Sequence, residues 1–264
     1  MKLNTVVCGL VLLLAGFVGT GVAELLLYLP FEEGSGNSTQ DKSGSGYVGT
    51  LNDGAVWVKG QLGSAIDFDG KTGMITFDDH PSLRLPKDIT LEAWVTVRNP
   101  SPIQFAAGIP YRDTSVWSNP WVGHQIGIEK KQFLSWLNIE GTNRQFPPFS
   151  EFKAENEIQP DTWYHIAMTF DGTARKSYLN GELIYDDSSI IGNTTFEGSP
   201  HFVVGSHSVH APGEFFGGAM DEVALYNRVL TQDEIRSDMD GRLFVAVSPS
   251  GRLATTWANL KGKW

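Results

Sequence analysis

Short segments in which apolar and polar residues alternate, each ended by turn-forming residues, run along most of the chain. The segment 89–97 is the clearest, because its odd-numbered positions are all apolar while Thr90, Glu92, Trp94 and Thr96 occupy the other face. A period of two residues is typical of a β-strand with one face in a core. About a dozen short strands with almost no helix predict an all-β fold, a two-sheet antiparallel β-sandwich or jelly roll. Further strands are predicted at 25–31, 55–58, 65–68, 74–77, 124–129, 132–139, 163–170, 177–179, 183–185 and 201–204.

The stretch 215–235 predicts the element that closes the sandwich. It begins with glycines, which permit the close approach of another backbone. Strict alternation along the following strand would place Asp221 and Val223 on the same face. Thr231 is suited to cap a helix, and Glu234 three residues later completes a capping box. We therefore expect a long strand followed by one short helix near the C-terminal end of the domain.

Two irregular segments, 99–120 and 140–160, interrupt the strand pattern. They are long for plain connections, which favours a binding or lid role. Near the end of the chain the character changes to an apolar stretch at 243–247 followed by a proline and basic residues. We therefore predict one domain over 24–240 and a C-terminal tail over 241–264.

The charge balance excludes some partners. The chain has 264 residues and a net charge of −10, which disfavours nucleic acid and anionic membranes. The same charge is compatible with calcium, which prefers oxygen ligands.

The N-terminal residues 1–23 combine Lys2, an apolar run and small residues before position 24. This pattern is typical of a secretory signal peptide, and the alternative is a retained membrane anchor. Cys8, the single cysteine, lies inside this segment, so no disulfide is expected after cleavage. The pattern predicts a secreted, periplasmic or cell-surface protein with no stable membrane insertion once the signal is removed.

Several strings of the sequence resemble the laminin-G-like, concanavalin A-like jelly-roll family in its bacterial secreted form. They follow one another in the order found in that family and span nearly the whole chain after the signal segment. The resemblance implies two antiparallel sheets in which the first strand pairs beside the last. The strings are Tyr28–Gly36 with Asp41–Gly44, Ala65–Gly70, Ile89–Val95, Trp163–Ala167 with Phe170–Gly172, Tyr178–Gly181 and Gly218–Asn227.

The resemblance also implies one calcium ion near the first and last strands. Asp41 and Asp221 would supply carboxylates, and the turn that contains Glu33 and Gly36 would supply further oxygen ligands. Oxygen atoms from segments far apart in sequence suit calcium. Two other interpretations stay open: the Gly- and Ser-rich stretch 32–46 is a flexible linker, or Asp41 caps its own turn while Asp221 is a surface acid at a strand end.

Relatives of this fold include hydrolases of β-glucans, which carry two carboxylates on one strand in a Glu-x-Asp-x-x-Glu pattern. This chain lacks that pattern. Asp67 and Asp69 precede a glycine, as turn residues do, and Asp186 and Asp187 are adjacent and would point to opposite faces of a strand. We therefore predict no catalytic residues and rank a polysaccharide hydrolase below a binding module.

Carbohydrate recognition uses aromatic side chains against sugar faces, with nearby polar groups that hold the hydroxyls. The two irregular segments contain such residues, whereas Trp94 and His165 on the strands are better explained by a structural role. The chain is therefore expected to be a secreted, non-catalytic module that binds glycan. The alternative is a protein–protein interaction or surface-scaffold domain with an extracellular protein as its partner. The predicted ligand-binding residues are Tyr111, Trp117, Trp121, Arg144 and Phe146.

Overall fold

The computed structural model describes residues 25–110, 122–146, 153–198, 200–209 and 214–241, with only the backbone described for 144–146. Within these ranges the chain forms two antiparallel sheets of eight strands each and one α-helix. This architecture confirms the predicted all-β, two-sheet sandwich with a short helix at its C-terminal end. The strands in chain order are β1 (Leu25–Leu29), β2 (Ser38–Gln40), β3 (Val48–Leu51), β4 (Ala55–Lys59), β5 (Ser64–Asp69), β6 (Ile75–Phe77), β7 (Ile89–Val97), β8 (Gln104–Pro110), β9 (Val122–Glu129), β10 (Gln132–Ile139), β11 (Thr142–Phe146), β12 (Tyr164–Phe170), β13 (Arg175–Leu179), β14 (Glu182–Asp187), β15 (Val203–Val204) and β16 (Gly217–Tyr226), and the helix is α1 (Gln232–Met239).

The strand order places the two ends of the domain together. Sheet A runs β14-β13-β12-β7-β16-β5-β4, and β1 pairs with the second half of β16. Sheet B runs β11-β10-β9-β8-β15-β6-β3-β2. The pairing of Tyr28 with Ala224 confirms that the first strand lies beside the last.

Three strands lie where the sequence pattern predicted irregular chain. Strand β8 is buried along its whole length, so it lacks the alternation that marks a half-buried strand. Strand β11 is a polar sequence that owes its extended form to pairing with β10. Strand β2 lies inside the stretch 32–46 and pairs with β3, so the flexible-linker interpretation of that stretch is wrong.

Apolar side chains from both sheets fill the space between them. Phe68 and Phe216 meet edge to face with ring centroids 6.3 Å apart, and Phe77 meets Phe202 in the same way at 5.8 Å. Edge-to-face contacts add to the stabilisation from burial of the rings. This core stabilises the domain without any cysteine in the described residues.

A bulge in β16 changes which residues face the core. Asp221 pairs with Trp94, but the next pair is Ala224 with Glu92, so β16 carries one extra residue. The residue after Asp221 accordingly has a positive φ of 53°, as bulged strands often require. Val223 faces the core and Asp221 shares the opposite, outer face with Trp94. The prediction that Asp221 and Val223 share a face is therefore wrong.

The helix covers part of the outer face of sheet A. The Thr231 hydroxyl accepts a hydrogen bond from the Glu234 amide at 3.3 Å, and the Glu234 carboxylate accepts one from the Thr231 amide at 2.8 Å. This confirms the predicted capping box. Ile235 packs against Tyr178 and Tyr226 of the sheet. No helix within the described ranges is long and apolar enough to cross a membrane.

Candidate functional site

The Asp221 carboxyl group lies at a buried corner of sheet A. Its side chain has no exposed surface. One oxygen, Oδ2, accepts a hydrogen bond from the Leu62 amide at 2.8 Å, whereas no donor in the described residues reaches Oδ1. The interpretation of Asp221 as a surface acid is therefore wrong, and an unsatisfied buried oxygen at this position is uncommon.

The four-residue loop between β4 and β5 lies against two carboxylates. A Cβ added to Gly60 would lie 2.5 Å from Asp221 Oδ2, and a Cβ added to Gly63 would lie 2.2 Å from Glu32 Oε1. At such distances a side chain at either position would force neighbouring atoms to shift, and the positive φ of Gly63 (96°) also favours glycine. The loop therefore lies against the carboxylates of Asp221 and Glu32 in one corner of the molecule, which we name the acidic corner.

The electrostatics of the acidic corner favour a cation. Burial raises the pKa of Asp221 to about 8, and the negative charges of Glu222 and Glu32 add to the effect. A bound divalent cation would offset both contributions and favour the ionised carboxylate. No group of three or more His, Cys, Asp or Glu side chains in the described ranges is arranged to hold a metal. A calcium ion here would therefore need backbone carbonyl or water oxygens besides Asp221 and Glu32.

The other predicted calcium ligands use their oxygens within the protein. Asp41 Oδ1 accepts hydrogen bonds from the Tyr28 and Ser43 amides at 2.9 and 2.8 Å. Its Oδ2 accepts from the Ser43 hydroxyl at 2.8 Å and the Gly46 amide at 3.0 Å. Asp41 thus caps its own turn and fastens that turn to β1, as the structural interpretation held.

The turn that contains Glu33 and Gly36 is similarly engaged. Glu33 Oε1 accepts from the Gln40 amide at 2.8 Å, and the Gly36 carbonyl accepts from the Trp57 indole at 2.7 Å. The structure thus brings Asp221 next to Glu32, which is not among the ligands predicted above. The paired glycines of the loop 60–63 were the signal that was missed, because glycines in a short hairpin loop also have an ordinary turn role.

A groove opens on the outer face of sheet B, the face turned away from sheet A. It crosses β3 and β6, has a volume of about 370 Å³, and has an exposed valine, Val48, at its edge. Hydroxyls, a carboxylate and an imidazole surround this apolar surface. The groove is lined by Val48, Thr50, Thr76, Phe77, Asp78, His201 and Val209.

Aromatic side chains lie farther along the same sheet, on β8 and β10. The ring centroids of Phe105 and Trp136 are 4.7 Å apart, and those of Phe105 and His207 are 5.0 Å apart. Gln125 donates a hydrogen bond to the His207 carbonyl at 2.7 Å. All four side chains are buried, whereas Val48 and Thr50 of the groove are exposed. The segment 200–209 borders both regions.

Three of the five ligand-binding residues predicted from the sequence lie outside the residues that the structure describes. Tyr111, Trp117 and Trp121 fall outside the described residues. Arg144 and Phe146 belong to β11, at the edge of sheet B, where their backbones pair with Leu137 and Ser135. Their side chains are not described, so this set stays a prediction.

Trp94 and His165 have the structural role that we favoured. Their rings meet edge to face at 5.4 Å, and both are buried beneath α1. The pKa of His165 is lowered to about 3 by burial, so this histidine is neutral. Neither residue is available to a ligand in solution.

The acidic pairs considered for catalysis have structural partners. Asp67 forms a salt bridge with Arg98 at 2.6 Å. Asp69 accepts hydrogen bonds from three backbone amides of the following turn, each at 2.8 Å, which lowers its pKa. Asp186 lies 3.3 Å from Lys176 on the neighbouring strand.

Comparison with protein families and curated proteins gives consistent results. A model of the concanavalin A-like lectin/glucanases superfamily, Laminin_G_3, matches residues 69–236, which is more than half of the chain. Mouse (Mus musculus) pappalysin-1 is 29% identical over 111 residues, which are 42% of this chain and 7% of that protein. The chain therefore corresponds to a small part of that relative's length.

Solved structures show the same fold at low identity. Domain 4 of AbnA, a GH43 extracellular arabinanase from Geobacillus stearothermophilus in complex with arabinotriose, superposes with a TM-score of 0.61 and 19% identity over 82% of this chain and 98% of that one. The binding domain of Paraclostridial Mosquitocidal Protein 1 superposes with a TM-score of 0.62 and 17% identity, over 82% of this chain and 52% of that one. The botulinum neurotoxin serotype D ligand-binding domain, in complex with N-acetylneuraminic acid, superposes with a TM-score of 0.60 and 12% identity, over 83% of this chain and 51% of that one.

Proposed function

The chain belongs to the concanavalin A-like lectin/glucanases superfamily, and from this premise we propose that it is a secreted, non-catalytic module that binds carbohydrate. The proposal places the sugar in the groove on the outer face of sheet B. It assigns a calcium ion to the acidic corner as a structural support. Fold alone does not fix function, so the proposal depends on the site.

The groove is the observation that carries the proposal. Thr50 and Thr76 are cross-strand partners on β3 and β6, and Asp78 and His201 line the same groove. Hydroxyl, carboxylate and imidazole groups hydrogen-bond sugar hydroxyls, while Val48 offers apolar contact to the ring. Its volume of about 370 Å³ lies within the range of small-ligand sites.

Two similarities and one structural observation support a binding role. Solved neighbours include domains in complex with arabinotriose and with N-acetylneuraminic acid. The acidic pairs Asp67/Asp69 and Asp186/Asp187 are engaged in turns and ion pairs, which leaves them unsuited to act as a glycosidase pair.

A glycan array with the intact protein tests the proposal. We expect signal on at least one glycan class, and we expect it to fall in Thr76→Val and His201→Ala. Loss of one hydrogen bond to a sugar corresponds to roughly a 2- to 12-fold weaker affinity. Thr162→Val, which changes an exposed threonine outside the groove, is the matched control and should bind like the wild type.

The array also separates the two candidate regions. Trp117→Ala and Trp121→Ala test the sequence-predicted aromatic set directly. If these variants lose binding while Thr76→Val does not, the aromatic segments bind the sugar and the groove assignment is wrong. No signal on any glycan would contradict the carbohydrate proposal, and capture of an extracellular protein through the same face would replace it. Release of sugar from a bound polysaccharide would overturn the non-catalytic assignment.

Export is the remaining part of the proposal. Residues 1–23 lie outside the described residues, and their composition supports a cleaved signal. N-terminal sequencing of protein recovered from outside the cytoplasm should begin at Glu24. A product that retains Met1 in the membrane fraction would favour the anchor instead.

A further inference from the structure

Helix α1 covers a cluster of buried carboxylic acids on the outer face of sheet A. Glu92 on β7 has no exposed surface, Asp238 on α1 is 2% exposed, and Glu222 on β16 is 5% exposed. Around them lies an apolar cluster that includes Leu230 and Ile235. Ionised carboxylates are costly in such surroundings unless they are paired with cations.

Among the described residues, few donors and no close cation reach the centre of this cluster. Tyr226 donates its hydroxyl proton to Asp238 Oδ2 at 2.6 Å, and Tyr28 donates to Glu222. His165 Nε2 is 3.8 Å from Glu92 Oε2, beyond hydrogen-bond distance, and this ring is neutral.

Arg228, a cation that attracts Asp238, is committed to another carboxylate. Arg228 is held by Glu234 through two hydrogen bonds of 2.8 and 2.7 Å. It attracts Asp238 only at a distance, and Glu234 repels Asp238. The cluster therefore contains more carboxyl groups than the described cations can neutralise.

Glu92 and Asp238 lie within hydrogen-bond reach of each other, and a hydrogen bond between two carboxyl groups requires a proton on one of them. No N–H or O–H donor reaches either oxygen of Glu92 or Oδ1 of Asp238 in the described residues. Two carboxylates repel at such close range, whereas a carboxylic acid donates a strong hydrogen bond to a carboxylate. Burial, together with the charges of Asp238 and Glu222, raises the pKa of Glu92, and burial also raises the pKa of Asp238.

We propose that Glu92 and Asp238 form a proton-dependent latch that holds α1 against sheet A, and that loss of their shared proton as the pH rises releases the helix. The helix has eight residues and is the element free to move, because β7 is paired on both sides in the middle of its sheet. Release would expose the apolar side chains of Tyr178 and Tyr226, against which Ile235 of α1 packs.

The direction of the pH effect follows from the raised pKa of Glu92. The folded state keeps a proton that the unfolded chain releases near pH 4.5. The contribution of the latch is fully present below that pH and is lost as pH rises toward the folded-state pKa. For one proton, the opening constant of α1 should rise about tenfold per pH unit within this window.

Hydrogen exchange of the full-length protein tests the latch. After correction for intrinsic exchange, amides of α1 should lose protection as the pH is raised from 5, by about tenfold per pH unit until the raised pKa of Glu92 is passed, while amides of β7 stay protected. Glu92→Gln should abolish this pH dependence, because its amide donates to Asp238 without a shared proton. Asp233→Asn, at a side chain that is 93% exposed on the same helix, should behave like the wild type.

Two further variants keep the test decisive. If Glu92→Gln fails to fold, Asp238→Asn removes the same proton requirement and should also give pH-independent protection. Asp221→Asn, which changes the acidic corner, should leave the response of α1 intact. Constant α1 protection in the wild type from pH 5 to 10, or an unchanged response in both latch variants, would overturn the proposal.

Discussion

Replacing Asp221 with asparagine should have opposite effects with and without calcium. The amide has nearly the same shape, keeps an oxygen for the Leu62 amide, and never ionises. Without a metal, Asp221→Asn should stabilise the domain at neutral pH, because the wild type must bury a carboxyl group that is ready to ionise. With calcium, the wild type should gain stability that the variant cannot gain, because the variant lacks the charged ligand.

The size of the first effect follows from the pKa of Asp221. Burial raises it from 3.8 to about 8, and each unit corresponds to ~1.4 kcal/mol. The contribution of this group is fully present below pH 4 and is lost as pH rises toward 8. At pH 7 the loss is on the order of 4 kcal/mol, which is the upper limit of the gain expected for Asp221→Asn. A calcium concentration of 100 times Kd would return about 2.7 kcal/mol to the wild type.

Urea unfolding followed by tryptophan fluorescence measures both effects. Wild type and Asp221→Asn are compared at pH 5, 7 and 8.5, in EDTA and then with calcium. Asp53→Asn, at an exposed turn, is the matched control and should follow the wild type. Identical pH profiles of wild type and Asp221→Asn in EDTA would refute the burial argument. A calcium-dependent gain that survives in Asp221→Asn would remove the acidic corner as the calcium site.

Three further predictions concern neighbouring features. Thr231→Ala removes the helix N-cap and should lower the free energy of unfolding by about 1 kcal/mol, measured by urea unfolding; an unchanged midpoint would contradict the capping role. Gly60→Ala adds a methyl group 2.5 Å from Asp221 Oδ2 and 2.6 Å from the Ser64 carbonyl, so it should cost roughly 1–3 kcal/mol and weaken any calcium-dependent shift in Tm. A variant as stable as the wild type would show that the loop relaxes freely. Asp69 has a lowered pKa because three amides donate to it, so its contribution is present above pH 4 and lost in acid; Asp69→Asn should flatten the acid limb of the Tm profile, and an unchanged limb would exclude this source.

The sequence predicted those elements whose patterns involve only neighbouring residues, such as alternation along a strand or a helix cap. The alternation in 89–97 matched β7 at both ends, and Thr231 with Glu234 marked the start of α1. Strand β8 was not predicted because both of its faces are buried, so polar and apolar residues do not alternate along it. Strand β11 was not predicted because its sequence is polar, and its extended conformation depends on pairing with β10.

The candidate sites depend on contacts that no local rule describes. Asp221 was identified from the sequence, but its neighbour Glu32 and the loop at Gly60 became evident only when β4, β5 and β16 lay side by side. The bulge at Glu222 reversed which residues of β16 face the core after Asp221. It requires a positive φ at Glu222, and a glutamate in the sequence gives no indication of such a conformation. The Glu92–Asp238 pair joins residues 146 positions apart in the chain, so each looked like an ordinary polar position.

The pairing of the first and last strands also sets how the domain should respond to force. Leu25 lies opposite Tyr226 in an antiparallel ladder, so a pull on these two positions loads its hydrogen bonds one after another. Sequential rupture needs less force than simultaneous rupture, and we expect β1 to peel away before the rest of sheet A yields. Because Asp41 bonds to the amide of Tyr28 in β1, tension would also reach the Gly- and Ser-rich turn that precedes the groove. In a single-molecule pulling experiment, an early low-force extension step of about the length of β1 should precede unfolding of the sandwich.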